Sequence, residues 1–193
     1  MNNVNIMIVG VGGQGTLLAS RILGNAILSL GYDVKVSEVH GMSQRGGSVV
    51  TYVKYGQKVY SPIIDKGEAD IILAFEQLEA LRALPYLKIG GKMIVNTQKI
   101  NPMPVITGAA RYPEGILETL SEKVDLTALD ALAMAKDAGN AKAVNVVLMG
   151  VMAKNTAIPY EVWVEAVRAC VPQKFLEANL RAFDAGYSFD TRA

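Results

Sequence analysis

Gly10, Gly12, Gly13 and Gly15 fall together in "GVGGQG", with an apolar run before them and an amphipathic run after them. Glycines so spaced have distinct uses. Gly10 permits a tight turn, Gly12 lets backbone approach a ligand, and Gly15 lets a following helix pack on the preceding strand; the helix N-terminus then offers free N–H groups and a positive dipole end to an anion. With Gln14 among them, these residues form a candidate cofactor-binding loop. The usual companion is an acid about twenty residues further on that bonds a ribose hydroxyl, and Glu38 stands there. A second glycine stretch follows in "HGMSQRGGS", where Ser43, Gln44 and Arg45 precede Gly46 and Gly47. One loop thus supplies a hydroxyl, an amide, a guanidinium fork and flexible backbone, a set suited to a carboxylate or phosphate or, equally, to a solvated surface turn. His40, the only histidine, is a candidate base or a strand-end hydrogen-bonding group. Glu76 and Glu79 either border a site or form an exposed first-turn pair.

The elements that must position these groups are legible from apolar period. "VNIMIVG" is a short continuous apolar run, as expected of a strand covered on both faces. Leu18, Ile22 and Ala26, beside Ala19, Leu23, Ile27 and Leu30, recur at three and four residues and predict a helix ending near Gly31. "DVKVSEV" predicts the second strand of a right-handed strand–helix–strand unit. "VVTYVKYG" and "QKVYSPII" read as strands that pair in a hairpin. "ADIILAFE" predicts a buried parallel strand, "QLEALRALPYL" a helix, and "GGKMIVNT" a strand after a Gly-Gly stop. "MPVITGAARYP" and "KVDLTALD" each supply a candidate strand, with "EGILETLSE" helical between them. "LDALAMAKDAG", "AKAVNVVLMGVMAKN", "PYEVWVEAVRACV" and "KFLEANLRAFDAG" each read as helix. Residues 1–193 are expected to form one Rossmann-like α/β domain, with a mostly parallel sheet, a hairpin insertion and a helical C-terminal third.

Composition narrows the function classes. The chain has 193 residues, 51% of them hydrophobic, enough to bury a core without staples. Nineteen Lys and Arg against eighteen Asp and Glu, with no long run of either sign, leave no electrostatic footprint for nucleic acid or a membrane surface. The first apolar run lacks a basic leader and breaks at glycine far short of a membrane span, so a cytoplasmic location is expected. Cys170 is the single cysteine. Alone it forms no internal disulfide, CxxC pair or four-thiolate cluster, and its apolar surroundings suggest a buried structural thiol. No catalytic residue and no metal ligand set is assigned.

The two loops together carry a resemblance. Through "GVGGQG" and "SEVHGMSQRGGSV", within a likeness that runs the whole length, the chain resembles the gamma-type subunits of the 2-oxoacid:ferredoxin oxidoreductases, in particular the small (beta) subunit of the indolepyruvate enzymes. The resemblance implies conversion of a 2-oxoacid such as indolepyruvate, with coenzyme A and oxidised ferredoxin, to an acyl-CoA, carbon dioxide and reduced ferredoxin. It implies a large alpha subunit carrying thiamine diphosphate and [4Fe-4S] clusters, with ferredoxin reached through the complex, and an isolated chain that is inactive and prone to self-association. It turns Glu38, His40, Ser43, Gln44, Arg45, Gly46 and Gly47 into residues facing substrate, coenzyme A or partner. Two other readings stay open: an autonomous NAD(P)- or FAD-binding oxidoreductase, and a non-catalytic binding module.

Overall fold

The computed structural model describes residues 3–38 and 46–190. Its first strand, β1 (Val4–Val11), sends alternate side chains to two different cores. Ile6 and Ile8 enter one, Met7 and Val9 the other, which is the period of two expected of a strand covered on both faces. The chain continues through α1 (Thr16–Ser29), β2 (Asp33–Glu38), β3 (Ser48–Gly56), β4 (Ala69–Ala74), α2 (Gln77–Ala83), β5 (Leu87–Asn96), α3 (Met103–Ile106), α4 (Ile116–Ser121) and β6 (Asp125–Leu129). Four helices complete it: α5 (Ala131–Asp137), α6 (Val144–Lys154), α7 (Tyr160–Cys170) and α8 (Leu176–Tyr187).

The six strands form one mixed sheet in the order β2-β3-β1-β4-β5-β6. β4, β5 and β6 follow β1 in parallel, whereas β3 runs antiparallel to both β1 and β2. Five strands therefore point one way and β3 alone points back. The expected strand–helix–strand unit is present in β1, α1 and β2, with β3 inserted between its two parallel strands, so that each bonds only to β3 on that side. The expected hairpin is corrected. "VVTYVKYG" is β3, but its partners are β1 and β2, and residues 57–64 form no strand. Lys58, Pro62 and the polar spacing of that stretch offer no apolar alternation to hold a further edge.

Two smaller corrections have local causes. The Gly90-Gly91 pair lies inside β5 as a bulge, shown by the register shift opposite Ala69 and Ile71, and does not stop the strand. A side chain at Gly91 would lie 3.0 Å from the Ala69 carbonyl oxygen, so the sheet closes there only over a bare backbone. "MPVITG" is the short helix α3, entered through Pro102 and Pro104, whose fixed φ suits a first helical turn.

Helices cover both faces. α1 and the C-terminal helices pack with Ile6, Ile8, Leu73 and Ile94, while α2 and α4 pack with Met7, Val9, Ile72 and Met93. α6 is buried along nearly its whole length, from Asn145 to Ala153, because α1, α8 and the sheet enclose it. The C-terminal third thus belongs to the core of this chain. Among the described residues no helix is long and apolar enough to cross a membrane.

Candidate functional site

The carboxyl ends of β1, β2, β4 and β5 and the start of β3 all lie at the same end of the sheet. Ligands of open α/β sheets bind at this carboxyl end, where the strand order reverses. In this chain the reversal falls between β1 and β4, and Gln14 occupies that crevice. Its Oε1 accepts from the Val11 N–H at 2.7 Å, while its Nε2 donates to the Phe75 carbonyl at 3.0 Å and to Gln98 Oε1 at 3.2 Å. Asn96, fully buried at the end of β5, donates to the same Phe75 carbonyl and accepts from the Ala131 N–H. The crevice is therefore closed by amides, and the open space lies to the other side of the glycine loop.

That space is a pocket of about 310 Å³ lined by Gly12, Gly13, Gly15, Thr16, Glu38 and Thr51, with Leu17 and Val49 at its wall. The expected duties of the glycines are partly redistributed. Gly13 and Gly15 have left-handed φ values of 99° and 86° and make the turn, a conformation that glycine adopts without a Cβ penalty. A Cβ on Gly10 would lie 2.9 Å from Gln14 Oε1 and 3.0 Å from Phe75 Cβ, so Gly10 provides packing space and makes no turn. The Gly12 N–H donates to the Gly47 carbonyl at 2.9 Å, which ties the first glycine loop to the second instead of leaving that donor for a ligand.

Gly15 also caps α1, with no side chain covering the helix's first N–H groups. Asn145 of α6 stands behind it, donating to the Gly15 carbonyl at 3.2 Å. The carboxylate of Glu38, held at 2.5 Å by Ser20 Oγ of α1, faces the same pocket. Uncapped helix N–H groups and a fixed carboxylate thus share one cavity, which suits a ligand presenting both an anionic edge and hydroxyl donors. No cation lines it among the described residues. Gly46 and Gly47 stand at the foot of β3, whereas the expectations for His40, Ser43, Gln44 and Arg45 lie outside the described residues.

Glu76 and Glu79 are neither exposed nor bordering the pocket. Glu76 is 1% exposed and caps α2, its Oε2 accepting from Leu78 N–H at 2.7 Å and Glu79 N–H at 3.1 Å. Its Oε1 accepts from the Ile100 N–H at 3.0 Å and from the Tyr112 hydroxyl, so one carboxylate pins both ends of the excursion between β5 and α4. Burial, followed by this bond to Glu76, holds the Tyr112 phenol far above its ordinary pKa. Glu79, 4% exposed, accepts from Arg82 and from Ser48 Oγ, each at 2.5 Å. The Ser48 bond fixes the start of β3. Sequence reasoning missed the roles of Gln14, Ser20, Ser48 and Asn145. Only Ser20, one helical turn beyond Thr16 on the face toward β2, had a signal that could have paired it with Glu38.

Cys170, at the end of α7, is half-buried, with its thiol pushed up by burial and its Sγ accepting from Asn25 Nδ2 at 3.4 Å. Among the described residues no three His, Cys, Asp or Glu side chains converge as a metal set. A single cysteine does not fit the thiolate set of an iron–sulfur cluster, and no step is assigned to such a group on this chain.

Residues 5–189 match the family described as "Pyruvate ferredoxin/flavodoxin oxidoreductase". The chain is 44% identical to an indolepyruvate oxidoreductase subunit of Thermococcus kodakarensis, covering 96% of this chain and 95% of that one. It is 45% identical, with the same coverage, to the corresponding subunit of Pyrococcus horikoshii. A solved gamma subunit of a keto/oxoacid ferredoxin oxidoreductase from Geobacter sulfurreducens superimposes with a TM-score of 0.71 at 27% identity, covering 95% of this chain and 96% of that subunit. A 2-oxoglutarate:ferredoxin oxidoreductase chain of Magnetococcus marinus shares the fold, with a TM-score of 0.75 at 18% identity over 97% of this chain and 31% of its own.

Proposed function

The chain belongs to the pyruvate ferredoxin/flavodoxin oxidoreductase family, and from that membership we propose that it is the accessory subunit of a 2-oxoacid:ferredoxin oxidoreductase acting on arylpyruvates such as indolepyruvate. Its relatives of 44% and 45% identity are indolepyruvate oxidoreductase subunits, which supports the substrate class. In this reading thiamine diphosphate and iron–sulfur clusters on the large subunit supply decarboxylation and electron transfer, as a cofactor commonly does while protein groups bind and orient. This chain shapes and closes the site from one side.

The observation that carries the role of this chain is the pocket beside the glycine loop. Uncapped N–H groups of α1 lie at one part of its wall and the Ser20-held Glu38 carboxylate at another. The N–H groups receive an anionic portion of coenzyme A or substrate, and Glu38 accepts from a hydroxyl. Arg45, in the connection that leads to Gly47, adds a guanidinium to the same anion. Reconstitution with the large subunit tests the whole reading. The two together are expected to reduce a viologen dye in the presence of an arylpyruvate and coenzyme A, and the chain alone to do nothing. Arg45→Ala and Glu38→Ala should raise the Michaelis constant for coenzyme A or the 2-oxoacid. Unchanged constants and turnover in both variants would remove the loops from ligand binding and leave them as interface.

Glu38 at the end of β2, lining a glycine-loop pocket, also favours a ribose ligand in the manner of an autonomous nucleotide-binding oxidoreductase. Titration of the purified chain with NADH or a flavin separates the two. The accessory-subunit reading expects no tight binding of either.

A further inference from the structure

A second cavity, of about 490 Å³, lies between α1, the α5–α6 connection and the turn from α7 to α8. Its size falls in the range of roughly 300–1,000 Å³ typical of small-molecule sites, as does its character of apolar walls with few polar groups. Leu18, Val171 and Phe175 supply apolar surface. Phe175 is 47% exposed, an aromatic ring at the edge of a cavity instead of within a core.

Besides Asn140, whose Oδ1 accepts from the Lys142 N–H at 3.0 Å, three polar side chains complete the lining. Asn179 is only 6% exposed, and its Nδ2 donates to the Phe175 carbonyl at 2.9 Å. That bond fixes the carboxamide, and its Oδ1 accepts no hydrogen bond among the described residues. That oxygen is not among the buried unpartnered polar atoms and so stays accessible on the cavity wall, free to accept from a donor in the cavity. Lys142 has no carboxylate partner among the described residues. Asn145 forms a third polar point and is also the residue that donates to the Gly15 carbonyl, so this cavity and the glycine loop share a wall.

The lining asks for a flat apolar body, one N–H donor and one negative charge. We propose that this cavity binds an aryl carboxylate, with an aromatic N–H such as that of indole meeting Asn179 Oδ1 and the carboxylate meeting Lys142. A nucleotide polyphosphate fits less well, since one lining lysine matches a single charge. The class includes the arylpyruvates of the reading above and their decarboxylated acids. The choice of an effector drawn from the reaction itself rests on that reading, whereas binding to the cavity does not. Through Asn145 an occupant acts on the loop at the N-terminus of α1.

Calorimetric titration of the full purified chain with indole-3-acetate tests the site without the large subunit and without turnover. Saturable binding to one site is expected. 1-Naphthylacetate keeps the two fused rings and the charge but lacks the N–H, and should bind about tenfold more weakly, because it takes the Asn179 oxygen out of water without offering it a donor. Lys142→Ala, a change on the exposed rim, should also weaken binding about tenfold. No saturable binding up to about 10 mM, equal affinity for the two acids, indifference to Lys142→Ala, or tighter binding of ADP than of indole-3-acetate would each overturn the proposal.

Discussion

Gln14 in the glycine loop and Phe75 at the end of β4 are joined by a 3.0 Å hydrogen bond from the Gln14 amide to the Phe75 carbonyl. The same side chain accepts from the Val11 N–H, so the first loop is bonded both to itself and to the neighbouring strand. Gln14→Ala strands the Val11 N–H and should lower stability by about 1–3 kcal/mol, the usual penalty for an unpaired buried donor. Urea denaturation measures this. Gln14→Glu keeps the acceptor but loses the donor and turns a carboxylate toward a carbonyl. Its loss of stability should therefore lessen at acidic pH, where the protonated form donates again.

The two left-handed glycines of the loop should differ in their tolerance of alanine. A Cβ on Gly13 meets nothing within 4 Å, so Gly13→Ala carries backbone strain alone, about 1–2 kcal/mol. At Gly15 the same strain is joined by a contact of 2.6 Å with Asn145 Nδ2. Gly15→Ala must also push Asn145 away from the Gly15 carbonyl, and thermal denaturation should show the larger loss there.

α6 and α8 cross on glycine. A Cβ at Gly150 would lie 2.2 Å from the Phe183 carbonyl oxygen, and one at Gly186 would lie 2.0 Å from that of Val147. Both obstacles are backbone and do not rotate away. Gly150→Ala and Gly186→Ala should each reduce stability by about 3 kcal/mol or more, since separating two packed helices loses surrounding contacts as well. Gly24, inside α1, faces open space, and Gly24→Ala should raise stability by about 0.5–1 kcal/mol through helix propensity. Opposite signs in one denaturation series separate close packing from mere position in a helix.

Several tyrosines make the fold sensitive to base. The hydrogen bond from Tyr160 to Asp184, at 2.5 Å, together with burial, raises its phenol to about 12, and burial raises Tyr55 and Tyr112 in the same direction. A phenol whose folded pKa exceeds its unfolded value near 10 holds its proton more tightly when folded. The stabilisation is complete below pH 10 and is lost as pH rises toward 12. The melting temperature should fall across that window, and Tyr160→Phe should flatten part of the fall. Phenolate absorbance in the folded protein should appear later than in free tyrosine.

The parts of the structure legible in sequence were those fixed by local period. The apolar run of β1 and the three-and-four spacing of Leu18, Ile22 and Ala26 follow from burial on a strand or helix, and each emerged in its expected element. Strand partners were not legible. The β-branched residues of "VVTYVKYG" declare an extended segment, yet nothing in them distinguishes pairing with residues 57–64 from insertion between β1 and β2. The glycine loop and Glu38 could be singled out because their spacing is local, and the structure brings Gly12, Gly13, Gly15 and Glu38 to one pocket. Glu76 was misjudged between a site border and an exposed first turn because its partners, Ile100 and Tyr112, lie 24 and 36 residues away. A carboxylate's burial is decided by such distant donors, which the sequence around it does not name.

The antiparallel β3 also constrains the order in which the chain becomes structured. β1 and β2, though joined through α1, have no hydrogen bonds to each other, and β3 bridges both. The segment up to Glu38 therefore contains two strands and a helix but not one strand pair. During synthesis no sheet seam on this side can close until Gly56 has left the ribosome, and a fragment cut before Ser48 would carry α1 without a platform. The covalent neighbours at the start of the chain become spatial neighbours only through a strand that arrives after them.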